Sequence, residues 1–102
     1  MELPWKSAKA WCRKGRAYAR QGQYDLAVSC YDKAIRHDGE SSILWYYKGL
    51  ALAAAGRHRE AVECFDHAIR IDPTCARFWQ ARGQAMYNLG KYGEAAGSAG
   101  QA

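Results

Sequence analysis

Proline is scarce in this 102-residue chain, with only Pro4 and Pro73, while 49% of its residues are hydrophobic and 13% aromatic. That balance excludes an intrinsically disordered chain. No long apolar run is present: the longest, Leu50 to Ala55, falls far short of the roughly 20 residues that cross a bilayer, so no membrane partner is expected. Met1 is followed by Glu2, Lys6 and Lys9 with no apolar stretch behind them, which argues against a signal peptide. Cys12, Cys30, Cys64 and Cys75 form no CxxC pair, and Cys30 and Cys64 merely share a repeat column, as small packing residues do. A soluble protein in a reducing, cytoplasmic setting is the expectation. Phosphate loops, GxGxxG and HExxH are all missing.

His37, His58 and His67 are dispersed, and none joins a nucleophile and an acid at a recurring spacing. Cys64 and His67 stand i, i+3 on a helix, which makes two ligands where zinc takes three or four. The matching Cys30 is followed three residues on by Lys33. These absences predict a chain with no catalytic residues, no metal and no cofactor. Acidic residues are also scarce in the first twenty positions, where Glu2 alone faces Lys6, Lys9, Arg13, Lys14, Arg16 and Arg20. The rest of the chain balances, so the whole net charge of +5 lies at one end.

What is present is a repeat. Trp11, Trp45 and Trp79 stand 34 residues apart. Each heads one pattern: Trp11/Gly15/Tyr18/Gly22/Ala27, Trp45/Gly49/Leu52/Gly56/Ala61 and Trp79/Gly83/Met86/Gly90/Ala95. Tyr24/His58/Tyr92, Tyr31/Phe65, Ala34/Ala68/Ala102 and Ile35/Ile69 keep the same register. Several unlike residue types in fixed register mark a solenoid or array.

Each repeat reads as two helices. In the first, Trp, Gly and the residue three further on fall at i, i+4, i+7 on one face. Gly22, Gly56 and Gly90 follow, where a left-handed C-terminal cap favours a residue without Cβ. The second helix opens near Tyr24, Arg59 or Tyr92 and buries Ala27/Tyr31/Ala34 or Ala61/Phe65/Ala68. Asp72 with Pro73 is expected to start a helix, Ser41-Ser42 to start its counterpart, and Pro4 to open the first, with Trp5 as an added anchor. Gly15, Gly49 and Gly83 sit inside helices at about 1 kcal/mol each against Ala, so a second backbone is expected to pass close by, facing Ala27, Ala61 and Ala95. The fold class is all-α, built of antiparallel helix-turn-helix units.

These columns resemble the tetratricopeptide repeat, W-x2-L-G-x2-Y, then A-x3-F, then P, over about residues 8 to 102. The resemblance implies a right-handed α-solenoid forming one domain, with repeats at about 8–41, 42–75 and 76–102. Departures are local. Lys14, Lys48 and Arg82 replace the usual Leu, and their aliphatic stems are expected to cover apolar surface. Gly39 replaces the closing Pro that Pro73 matches. In the third repeat Ala99 replaces the aromatic and Gly93, Gly97 and Gly100 weaken the second helix. With no polar cap written there, the end is expected to be covered by further repeats, a second copy or another chain.

The resemblance also implies a concave groove lined by the first helices, holding a peptide. Counted away from the Trp/Gly face, the basic stripe Lys9, Arg13, Arg16 and Arg20 gives way to Ile43, Tyr47, Leu50 and Ala54. Arg77, Ala81, Gln84 and Asn88 complete the columns, and Cys12, Tyr46, Gln80 and Tyr87 adjoin them. The expected site is Lys9, Arg13, Arg16, Arg20, Ile43, Tyr46, Tyr47, Leu50, Arg77, Gln80, Gln84 and Asn88. It suits an acidic peptide with an apolar anchor. The subfamily set that holds chaperone C-terminal carboxylates falls on Cys12, Arg16, Tyr47, Arg77 and Ala81. Only Arg16 and Arg77 keep cations, so chaperone tails are not the expected ligand. A self-assembling scaffold is the alternative function. Nucleic acid on the basic helix is a weaker one, because the middle of the chain is neutral and the groove residues do not repeat as an RNA code would.

Overall fold

The two glycine turns show how the chain reverses. Gly22 and Gly56 hold φ of 78° and 84°, the left-handed region that a Cβ disfavours. Around the first turn Gln23 N–H donates to the Tyr18 carbonyl and Gly22 N–H to that of Ala19, both at 3.0 Å. Around the second, Arg57 N–H donates to Leu52 at 2.8 Å and Gly56 N–H to Ala53 at 3.0 Å. Both are paired closures of a Schellman motif. The computed structural model describes residues 7–93. It contains α1 (Ala8–Arg20), α2 (Tyr24–His37), α3 (Ser42–Ala54), α4 (His58–Ile71) and α5 (Ala76–Asn88), and no strand among the described residues. The boundaries of α1, α3 and α5 are 34 residues apart, as are those of α2 and α4. Helices α1 with α2 and α3 with α4 form antiparallel hairpins, which stack through α2 on α3 and α4 on α5. The result is an all-α solenoid.

The third turn departs from the repeat. Gly90 does not take a left-handed φ; instead α5 runs on into a π-helical stretch, Leu89–Gly93. The expected start of a sixth helix at Tyr92 therefore falls inside that stretch. Pro4, Trp5, Ala95, Gly97, Ala99 and Gly100 lie outside the described residues.

The helical glycines make room for rings, not for a second backbone as expected. A Cβ on Gly15 would stand 2.7 Å from Tyr31 Cε1, and one on Gly49 2.5 Å from Phe65 Cε1. Ala27, Ala34, Ala61 and Ala68 are wholly buried beside those rings. Gly83 meets nothing within 4 Å among the described residues.

The tryptophans are not core residues. Trp11 and Trp45 are half-buried and Trp79 is 50% exposed. Trp45 Nε1–H donates to the Gly39 carbonyl at 3.1 Å and Trp79 Nε1–H to that of Pro73 at 2.8 Å. Each indole thus ties its helix to the loop before it, and Gly39 and Pro73 share a column. The core instead uses Leu44 and Phe78, one residue before each Trp and missed in the sequence reading. Lys48 and Arg82 do more than cover apolar surface. Lys48 Nζ pairs with Asp32 at 2.7 Å and Arg82 Nε with Asp66 at 2.5 Å, the same inter-hairpin bridge one repeat on.

Helix starts differ from the sequence expectation too. Asp72 does not cap α5, whose N-cap position is Cys75. Its carboxylate accepts from Thr74 N–H at 3.1 Å and Thr74 Oγ1–H at 2.7 Å, which folds the loop instead. Ser41 sits at the N-cap of α3 without a side-chain cap bond. In α1, by contrast, Ser7 Oγ accepts from Ala10 N–H at 3.1 Å.

Candidate peptide-binding groove

Because α1 and α3 meet the core through Gly15 and Gly49, their opposite flanks face a shared groove. Two adjoining clefts lie there. The first, about 380 Å³, is lined by Lys9, Arg13 and Arg16 from α1, by Ile43 and Leu44 from α3, and by Asp38 from the connecting loop. The second, about 280 Å³, is lined by Arg16 and Arg20, by Tyr47 and Leu50, and by Tyr24 and Tyr31 from α2. Arg16 borders both.

Lys9, Arg13, Arg16, Arg20, Ile43, Tyr47 and Leu50 thus come together. Ile43 and Leu50 are 40% and 39% exposed, so apolar surface is open to a ligand. Arg16 lies over the Tyr47 ring, 5.3 Å from its centre. None of the four cations has a carboxylate partner among the described residues, whereas Lys48, Arg57 and Arg82 all do. Tyr46 lines neither cleft; its ring stands 6.0 Å from Phe65 and 5.0 Å from Phe78, and it packs α3 against α4 and α5. Arg77, Gln80, Gln84 and Asn88 are on α5 and line neither cleft; Gln84 and Asn88 hydrogen-bond each other at 3.2 Å.

Tyr24, Tyr31 and Asp38 were missed in the sequence reading, which counted only first helices. The one available signal was the hydroxyl that distinguishes Tyr31 from Phe65 in a shared column. Burial pushes the Tyr31 phenol up to about 12, with Cys12 adding to the effect and Arg16 opposing it. Burial likewise raises the Cys12 thiol against the pull of Arg16.

No group of three or more His, Cys, Asp or Glu side chains able to hold a metal occurs among the described residues. His67 stacks on Trp45 at 4.2 Å, and burial pushes the neighbouring Cys64 thiol up to about 11. The rings nearest the basic helix are also engaged. Lys33 and Lys14 lie over Trp11 at 4.5 and 5.4 Å, and Tyr18 packs against the core.

Comparison with known proteins bears on the fold and the family. The family model described as Tetratricopeptide repeat matches residues 12–74 and 54–102. No curated protein sequence is significantly similar. Among solved structures, the second TPR of Spaghetti (RPAP3), bound to the HSP90 peptide SRMEEVD, superposes with a TM-score of 0.79 at 28% identity. That match covers 86% of this chain and 82% of the other. The second TPR domain of human RPAP3 in complex with the HSP70 peptide SGPTIEEVD gives 0.78 at 28% identity, covering 86% and 73%. MamA gives 0.81 at 28% identity over 92% of this chain, which spans only 51% of that structure. The chain belongs to the tetratricopeptide-repeat family.

Proposed function

We propose that this chain is a non-catalytic interaction module whose α1–α3 groove holds an extended acidic peptide with an apolar anchor. The observation that carries this is the set of four cations along α1 with no carboxylate partner among the described residues, facing exposed Ile43 and Leu50 and the Tyr47 ring across two connected clefts. Long-range attraction brings the acidic segment in, and apolar burial holds it. The peptides on the two RPAP3 domains, SRMEEVD and SGPTIEEVD, combine the same chemistries, which supports the reading. The terminal-carboxylate clamp is not its basis, because Cys12, Tyr47 and Ala81 stand at three of the five positions the resemblance implies.

Titration calorimetry with acidic peptides selected from a random library, and with the HSP90 peptide SRMEEVD as a control for chain-end binding, tests the proposal. Binding that weakens with added salt and is weakened by Arg13→Glu with Arg16→Glu is the expected result. Unchanged binding in that variant and in Tyr47→Ala would refute it. A second reading, self-assembly or docking of further repeats on α5, draws on Trp79, Met86 and Tyr87, which are 50%, 44% and 64% exposed. Light scattering over a range of concentrations tests that separately.

A further inference from the structure

Tyr31 and Phe65 occupy one column, 34 residues apart, and pack alike. Each lays its ring on the helical glycine of the facing helix, and the two residues are 2% and 1% exposed. Phe65 shows that a bare ring satisfies the position. The Tyr31 hydroxyl is therefore surplus to packing, and burying an unpartnered hydroxyl is unfavourable. Among the described residues no hydrogen bond engages it, yet it is not one of the fully enclosed orphan atoms. Tyr31 lines the second cleft together with Arg16, Arg20, Tyr47 and Leu50.

The surroundings of that hydroxyl are aromatic and cationic. Tyr31 and Tyr47 stack with centroids 5.9 Å apart, and Tyr47 in turn carries the Arg16 guanidinium on its ring. Arg16 is thereby held at the cleft, and its charge is left uncompensated by any carboxylate among the described residues. Arg20 stands on the same wall, and Leu50 closes the apolar side. With its pKa pushed up to about 12 by burial, the Tyr31 phenol keeps its proton and can only gain from an acceptor. The cleft, about 280 Å³, has room for one side chain rather than a folded element.

We infer that the second cleft is a subsite for one peptide carboxylate on a short apolar stem. Tyr31 Oη–H donates a hydrogen bond to it, Arg16 supplies the charge, and Tyr47 and Leu50 pack on the stem. This rests on the groove reading above and adds the residue that selects an acid at one position. The carboxylate belongs to a glutamate side chain, and a free peptide end is the alternative that the test separates.

The test uses a heptapeptide library displayed on phage and selected on the whole chain. The strongest acidic peptide is then synthesised with its C-terminus either blocked or free, and again with each glutamate replaced by glutamine. Fluorescence polarisation measures each form against the wild type and Tyr31→Phe. The hydroxyl's loss should weaken the acidic peptide about tenfold, as removal of a hydrogen bond to a charged group does. One glutamine replacement should weaken the wild type similarly, and the two losses should not add. The variant should melt like the wild type, as Phe65 already fills the equivalent place. Coupling to a free C-terminus instead of a glutamate assigns the subsite to the chain end. Equal binding by wild type and Tyr31→Phe, or fully additive losses, overturns the subsite and leaves the groove reading standing. Selection of no peptide at all overturns both.

Discussion

Adding one methyl group at three equivalent glycines should give two opposite results. Gly49→Ala places a Cβ 2.5 Å from Cε1 and 2.8 Å from Cδ1 of Phe65, a ring only 1% exposed with no room to retreat. Overpacking of this kind costs about 1–3 kcal/mol, while replacing a helical glycine by alanine returns about 1 kcal/mol. The net expectation is a loss of up to about 2 kcal/mol. Gly15→Ala meets Tyr31 at 2.7 Å and should behave the same way. Gly83→Ala meets nothing within 4 Å among the described residues, so only the helix term remains and stability should rise by about 1 kcal/mol. For a chain of this size 1 kcal/mol moves the melting temperature by roughly 4–8 °C, within reach of thermal or urea unfolding followed by circular dichroism. If all three variants shift in the same direction, the ring-on-glycine contact does not set the sign and the reasoning is wrong.

Three further outcomes are expected. Gly22→Ala and Gly56→Ala put a Cβ at positive φ and should each lower stability by about 1 kcal/mol in urea titrations, whereas Gly90→Ala, in a π-helical stretch, should not. Cys64 is raised in the folded state from about 9.0 to about 11 by burial, so the folded chain holds that proton longer than the unfolded one. Its contribution is complete below pH 9.0 and is lost as pH rises toward 11. The melting temperature should fall over that window, and less steeply in Cys64→Ala. In the groove, Arg13→Glu with Arg16→Glu should flatten the salt dependence of peptide binding, while Tyr47→Ala should cost about 1–2 kcal/mol by calorimetry without that change in slope.

The sequence alone determined the helix hairpins, because local chemistry writes them. A glycine at positive φ and an apolar face at i, i+4, i+7 need no distant partner to be recognised, and 34-residue spacing carries them from one hairpin to the next. It also determined the basic wall on α1, since Lys9, Arg13, Arg16 and Arg20 share a helix face by count. The tertiary structure decided what those residues meet. Trp45 and Trp79, the loudest signals in the chain, turn out to be half-exposed loop ties, because an indole N–H seeks a carbonyl and found those of Gly39 and Pro73. Gly15 and Gly49 face rings, since a missing Cβ leaves room without saying what fills it. Asp72 turned to Thr74, a nearer partner than the helix it was expected to cap. Tyr31 reached the groove from α2, the helix that counting along first helices ignores. Its hydroxyl gained meaning only once the ring was seen to be anchored like Phe65 and its edge left beside Arg16.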